Sequence, residues 1–273
     1  MRRLLVFLAV VAAAGSLTVG TMAAQSSECV SLTRQALDAS GFNEEVDSST
    51  RILDSDEFMA QMDSGQGMPA EFIAAFRKAV KTQMNAEQIK KEVLQKLASG
   101  CKPDSMQQAL ERMQTPFVAH MLELEASLNR PGAEEKIKRY ADALKVAPPT
   151  DERLEAIHAL DESLGMTNFQ MESSIHIIEA ILEGFGVPPP NEDDAQKQRR
   201  AMHEQTRAVV ETSLLLTYRG VPRADLDRYA KELRSEPLHG FFSGMRDAFL
   251  EVMTVRSRAM AEDLKSSLPA RRS

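Results

Sequence analysis

The chain has 273 residues, and its 40 Asp and Glu outnumber its 33 Lys and Arg to give a net charge of -7. This acidic balance repels nucleic acid and anionic lipid headgroups, which excludes a general nucleic-acid-binding role. There is no Trp, and aromatic residues make up 5% of the chain, so the composition favours helices over sheets. The length allows one large domain or two modest ones, each with a buried core.

The amino-terminal residues have the pattern of a secretory signal peptide. Two arginines precede an apolar run over residues 4–14, and small residues stand at Ala23 and Ala24. The apolar run is shorter than the roughly 20 residues that span a bilayer, although an uncleaved anchor helix is the alternative. We therefore predict that residues 1–24 form a Sec-type signal peptide cleaved near Ala24. The protein is then periplasmic or secreted, with no transmembrane segment after cleavage.

The only two cysteines are Cys29 and Cys101. Export places them in an oxidising compartment, where a disulfide between them is the simplest prediction. Two free thiols are the alternative. A redox or metal pair lacks support because the sequence has no C-x-x-C motif and no histidine within several residues of either thiol.

Apolar residues recur at intervals of three and four along most of the chain, as in amphipathic helices. No stretch alternates with a period of two, so a sheet is not indicated. We predict an all-α fold, a multi-helix bundle of about ten helices built from helical hairpins. The predicted helices run from Cys29 to Gly41, from about Asn43 to Met62, from Pro69 past Val80, from Asn85 to Leu97, from Met106 to Leu128 with a bend at Pro116, from Ile137 to Leu144, from Thr150 to Leu164, from Met171 to Gly184, from about Ala195 to Tyr218, from Pro222 to Arg234 and from Leu238 to about Leu264.

The strongest break in the pattern is VPPPNEDD, residues 187–194. Three consecutive prolines cannot continue a helix, and the acids after them suit the start of the next one. This segment is a loop, or a boundary between a larger helical region over residues 25–186 and a smaller one over residues 195–268. Residues 269–273 are predicted to form a frayed tail.

The sharpest candidate for chemistry is the E-x-x-H motif from Glu155 to His158, which places a carboxylate and an imidazole on one helical face. A di-iron site also needs a second such motif and two further glutamates. The nearest substitutes are in reversed order: His120 with Glu123 and His176 with Glu179. In a chain rich in Glu such pairs arise by chance, so surface or helix-pairing roles are favoured. We predict no catalytic, cofactor-binding or metal-binding residue.

Methionines are numerous, and their flexible side chains can line adaptable binding surfaces, as in chaperones or carriers of hydrophobic ligands. Most of them fall on the same stripes as Leu, Ile and Phe, which favours core positions. Met59 with Met62 is a candidate soft-metal pair, but no third ligand is close in the sequence.

The segment from Thr217 to Phe242 combines charged residues with an inward face of Leu226, Tyr229 and Leu233. Its charges, among them Arg223 with Asp227 and Arg228 with Glu232, are spaced i, i+4 as on a solvated helix. The arrangement resembles a bacterial exported all-helical family of unknown function, over about residues 218–258. The resemblance rests on Tyr218, Val221, Pro222, Asp225, Leu226, Tyr229, Leu233, Ser235 and Phe242.

Members of that family often have a Gly soon after the Ser-Pro step, whereas here Glu236 intervenes and Gly240 comes later. The resemblance implies a helical, exported and non-enzymatic protein, and it supplies no catalytic residues.

The region from Asn85 to Leu128 repeats the same plan of a polar cap, a helix, a break at Pro103 and a long amphipathic helix. Chance similarity between helical hairpins is the alternative to a true internal repeat.

These features predict a non-enzymatic binding or interaction protein of the cell envelope. Its partner would be another protein or envelope material, held in a groove between helices or on an exposed apolar stripe. A periplasmic chaperone or hydrophobic-ligand carrier, a metal-dependent enzyme using scattered His and Glu, and a structural envelope component are the alternatives.

Overall fold

The computed structural model describes residues 27–60, 69–184, 187–188 and 190–267. These residues form helices and connecting loops, and the described part of the chain contains no strand. The predicted all-α bundle is therefore confirmed. The predicted signal peptide and the predicted tail lie outside the described residues.

The described residues form thirteen helices, α1 to α13, and one short 3-10 turn. In chain order they are α1 (27–39), α2 (Phe42–Leu53), α3 (56–60), α4 (Ala70–Gln83), α5 (Ala86–Ser99), α6 (Pro103–Met113), α7 (Pro116–Ala126), the 3-10 turn Ser127–Asn129, α8 (Ala133–Val146), α9 (Asp151–Leu164), α10 (Met166–Gly184), α11 (Glu192–Thr217), α12 (Arg223–Leu233) and α13 (Glu236–Ser267).

Polar side chains cap the start of three helices, and two of these caps, Asn85 and Thr150, stand where the sequence predicts a helix to begin. Asn85 Oδ1 accepts a hydrogen bond from the backbone N–H of Gln88 at 3.1 Å and begins α5. Thr150 caps α9 through the N–H of Arg153 at 3.3 Å, and Asn191 caps α11. Each cap satisfies a backbone donor that has no partner inside its helix.

Two predicted helices are each split in the structure. The segment predicted from Asn43 to Met62 breaks at Asp54, and the Ser55 hydroxyl accepts the N–H of Phe58 at 3.1 Å to begin α3. The segment from Met106 to Leu128 does not bend at Pro116. It ends at Met113 and restarts with Pro116 as the first residue of α7, because proline suits the first turn and forces the preceding residue into extended backbone.

The core is one hydrophobic cluster that contains residues from both sides of the proline-rich segment. The longest helix, α13, packs against α4, α5, α6 and α10 and so connects the early and late parts of the chain. Arg256 of α13 is buried and donates to both carboxylate oxygens of Glu92, at 2.7 and 3.1 Å, and to the carbonyl of Gln83 at 2.6 Å. This fork is a charge-assisted anchor between α13, α4 and α5.

The hairpins α6–α7 and α12–α13 follow the same plan at an offset of 120 residues, from Pro103 to Arg223. Both first helices have 11 residues, and both end with a hydroxyl that bonds back to a carbonyl: Thr115 to Arg112, and Ser235 to Glu232. The buried positions also correspond. They are Met106, Ala109, Leu110 and Met113 in α6, and Leu226, Tyr229, Ala230 and Leu233 in α12.

The two hairpins also pack reciprocally, since α6 lies against α13 and α12 lies against α7. Arg112 and Glu232 occupy equivalent positions and approach each other to 3.6 Å. In this packing the first helix of each hairpin contacts the second helix of the other, as expected of two copies related by an approximate two-fold axis. The structure thus supports the internal repeat over chance similarity.

Two related grooves as candidate binding sites

A groove with a volume of about 530 Å³ lies between the end of α5, the start of α6 and the first turns of α13. We call it the α13 groove. Leu97, Met106 and Phe241 contribute apolar surface to its lining. A cavity of this size with an apolar lining is in the range that binding sites occupy.

Two glycines of α13 line the α13 groove and act differently. A Cβ added at Gly240 would meet no atom within 4 Å, so this glycine faces open space. A Cβ added at Gly244 would lie 3.4 Å from Cδ2 of Leu97. Gly244 therefore lets α5 approach α13 closely, while Gly240 keeps the groove open.

Charged side chains surround this apolar lining. Lys96 of α5 forms an ion pair with Glu251 of α13 across the groove. Lys102, Glu236 and Asp247 also line it. Because Lys96 and Glu251 neutralise each other, the remaining charged residues of the lining are Lys102, Glu236 and Asp247. The groove is therefore slightly negative.

The internal repeat places a second groove at the corresponding position beside α7. We call it the α7 groove; it has a volume of about 550 Å³ and is bordered by α7, α8 and the end of α11. Leu124 of α7 lines it, together with Ser127 and Leu128 of the 3-10 turn that follows. At the offset of 120 residues, these positions correspond to Gly244, Asp247 and Ala248 of the α13 groove.

One part of the α13 groove has a filled counterpart in the other repeat. The guanidinium of Arg228 lies 4.0 Å from the ring centroid of Phe117, which also contacts the ring of Tyr229. The positions equivalent to Arg228 and Phe117 are Gln108 and Pro237, and both line the α13 groove. The stacked cation and aromatic ring that close the α12–α7 contact are thus missing there.

The loops that precede the two hairpins are anchored by different chemistry. The loop between α5 and α6 is held to α1 by the Cys29–Cys101 disulfide, with an Sγ–Sγ distance of 2.14 Å, so the predicted bridge is confirmed. The loop between α11 and α12 is held to α9 by Arg153, which donates to the carbonyls of Tyr218 and Val221.

Beneath the second hairpin, Glu125 of α7 accepts hydrogen bonds from the hydroxyls of Tyr218 and Tyr229, the latter at 3.0 Å. Burial raises the pKa of Glu125 to about 7, the negative charge of Glu45 raises it further, and the two tyrosine hydrogen bonds oppose this rise. Burial also raises the pKa of both tyrosines. The cluster therefore carries a carboxyl group that titrates near neutral pH.

Sequence reasoning missed Glu125, although a signal for it existed. Tyr229 was expected to face inward, and a buried tyrosine hydroxyl needs a hydrogen-bond partner. Which side chain supplies that partner depends on how α7 packs against α12, a contact between residues about a hundred positions apart.

The charged residues of α12 interact less with one another than predicted. Arg223 approaches Asp227 to 3.7 Å, as expected. Arg228 instead covers Phe117, and Glu232 lies near Arg112 of α6. Part of this face therefore joins neighbouring helices rather than only facing solvent.

The residues of the E-x-x-H motif have separate partners. Nε2 of His158 lies 2.5 Å from Glu211, while Glu155 lies 3.6 Å from Arg223. His158 and His203 line a third, open cleft of about 550 Å³, whereas the other three histidines, His120, His176 and His239, are exposed. Among the described residues, no group of three or more His, Cys, Asp and Glu is arranged to hold a metal ion.

The methionine pair is divided by the limits of the described residues. Met59 is buried in the core, and Met62 lies outside the described residues. The buried methionines Met84, Met106, Met113, Met121, Met253 and Met260 also lie in the core.

Comparison of the chain with protein-family models, with curated proteins and with solved structures finds no match. Within the described residues, no helix combines the length and the apolar character needed to cross a bilayer.

Proposed function

We propose that the protein is a non-enzymatic binding protein of the cell envelope, and that the α13 groove receives a segment of a partner protein. The observation that supports this function most strongly is the difference between the two repeats. In one repeat, Arg228 stacks on Phe117 and fills the space between α12 and α7. In the other repeat, Gln108 and Pro237 stand at the equivalent positions and line the α13 groove. A partner can supply the missing groups.

The chemistry of the groove defines the segment that would fit. Its apolar surface at Leu97, Met106 and Phe241 suits an aromatic side chain, and Glu236 and Asp247 attract a cation. We therefore assign the groove to a basic segment that carries aromatic residues, with a guanidinium and a ring placed as Arg228 and Phe117 are placed in the other repeat.

The proposed location follows from the amino-terminal signal pattern and from the disulfide. A Cys29–Cys101 bridge is compatible with the oxidising conditions outside the cytoplasm. Export to the periplasm or to the medium would bring the groove into contact with other envelope proteins.

The test uses a fluorescent peptide of about eight residues with Arg and Phe on one helical face, which spans roughly 12 Å as a helix. This length matches the distance along α13 from Gly240 to Ala248. We expect the peptide to bind the wild-type protein, and we expect a second peptide with Glu in place of Arg to bind at least tenfold more weakly, because Glu236 and Asp247 repel it.

Gly240→Leu fills the groove and is expected to weaken binding at least tenfold. The added Cβ meets no neighbouring atom, so the fold should be retained, which a thermal unfolding curve checks. His239→Leu is the matched control, since His239 is exposed on the same helix and does not line the groove. Equal peptide affinity of Gly240→Leu and wild type would contradict the proposal, as would stronger binding of the Glu peptide.

A further inference from the structure

The α7 groove has an unusual charge for this protein. The chain carries a net charge of -7, yet Lys136, Arg139 and Arg219 border the groove, and none of the described residues that line it is acidic. Lys136 and Arg139 come from α8, and Arg219 follows the end of α11. Three cations from two parts of the chain thus surround one cavity.

These cations retain donors for a ligand. The side chain of Arg139 donates through Nε to the backbone carbonyl of Glu135 at 3.2 Å, which leaves its other guanidinium nitrogens available. The carboxylate of Asp142, on the same helix, is taken up by Lys145 at 2.8 Å. Guanidinium groups bind carboxylates and other oxyanions through paired hydrogen bonds.

The lining below the cations is apolar. Leu124, Leu128 and Leu216 are partly buried and line the cavity, together with the ring of Tyr140. The Tyr140 hydroxyl is directed to the carbonyl of Leu215 at 3.4 Å. A volume of about 550 Å³ is in the range of sites for small ligands.

We propose that the α7 groove binds a free, single-chain anionic amphiphile, such as a fatty acid. Its charged headgroup lies between Arg139 and Arg219, and its hydrocarbon chain lies on Leu124, Leu128 and Leu216. This site is separate from the α13 groove, and its test does not depend on peptide binding.

Calorimetric titration with dodecanoate, kept below its micelle concentration, tests the proposal. We expect wild-type protein to bind dodecanoate at least tenfold more tightly than neutral dodecanol, because both share the chain and only one carries the charge. Equal affinity for the two compounds, or no binding of dodecanoate, would overturn the proposal.

The double variant Arg139→Gln, Arg219→Gln is expected to lose at least tenfold in dodecanoate affinity and little in dodecanol affinity. Lys138→Gln is the matched control, because Lys138 is exposed on α8 and does not line the groove. A retained thermal unfolding midpoint shows that the double variant is folded. Unchanged dodecanoate affinity in that folded variant would refute the assignment.

Vesicles of phosphatidylglycerol distinguish the free amphiphile from a membrane surface. We expect weak vesicle binding, since the protein is acidic overall and is repelled by an anionic membrane surface. Binding to vesicles without binding to monomeric dodecanoate would contradict the proposal and indicate a membrane surface instead.

Discussion

The α13 groove and the α7 groove lie at equivalent positions in the two hairpin repeats, yet Gly244 and Ala248 line one where Leu124 and Leu128 line the other. Acids and lysines surround the first, whereas cations alone border the second. The two grooves therefore share the same arrangement of helices, and a few side chains determine the shape and charge of each one. The repeat supplies the position of a site, and the differences between its copies supply the chemistry.

The anchoring of the two repeats differs in the same way. A covalent bond holds the loop between α5 and α6, while hydrogen bonds from Arg153 hold the loop between α11 and α12. The anchor of the first copy can therefore be removed by a reducing agent, whereas the anchor of the second cannot.

The largest expected effect comes from removing the covalent anchor. The variant Cys29→Ser, Cys101→Ser should lower the free energy of unfolding by about 2–4 kcal/mol, because the bridge closes a long loop in the unfolded chain. Urea unfolding measures this loss, and wild-type protein under reducing conditions should match the variant. A loss of less than about 1 kcal/mol would indicate that helix packing alone anchors the first repeat.

A second difference is that the second hairpin carries two buried tyrosines whose hydroxyls donate hydrogen bonds to Glu125. The protonation state of Glu125 therefore affects the stability of this contact. The folded-state pKa of Glu125 is about 7, above its ordinary value of 4.5, so the folded protein binds the proton more tightly than the unfolded chain. The stabilising contribution of Glu125 is therefore fully present below pH 4.5 and is lost as the pH rises through 7. We expect this group to contribute a decrease of about 1–2 kcal/mol, reduced by the partial exposure of the side chain.

Glu125→Gln isolates this contribution, because an amide does not titrate in that range. The difference in unfolding free energy between wild type and variant, measured by urea unfolding from pH 4.5 to 7.5, should change in favour of the variant as the pH rises. A difference that stays constant with pH would show that Glu125 keeps its ordinary pKa.

The smallest effect distinguishes the two glycines of the α13 groove. Gly240→Ala should raise the free energy of unfolding by about 0.5–1 kcal/mol, since alanine favours the helix and the added methyl meets open space. Gly244→Ala should gain less, because its methyl group comes against Leu97. A larger gain at Gly244 than at Gly240 would reverse our assignment of the open and the packed position.

Much of the fold could be predicted because helical periodicity and caps are local signals. Asn85, Thr150 and the inward face of α12 have the positions and roles that the sequence indicates. The sequence indicates a change in the helix at Pro116, but the predicted bend is wrong, because Pro116 begins a new helix. A proline is compatible with either a bend or a helix start, so the residue alone does not distinguish them.

The candidate sites could not be predicted in the same way. Both grooves are formed by helices far apart in the sequence, and Glu125 meets its tyrosines across more than ninety positions. The sequence similarity between the two repeats is weak, because equivalent positions carry different residues, such as Leu124 and Gly244. Reciprocal packing of the hairpins made that correspondence clear.

The central claim is that two equivalent grooves select ligands of opposite charge, and methyl NMR tests it most directly. With Leu and Met methyl groups labelled, the Arg–Phe peptide should shift the signals of Leu97 and Met106, and dodecanoate should shift those of Leu124 and Leu128. The account predicts two separate sets of shifts. A single set that responds to both ligands, or no shift in either groove, would contradict it.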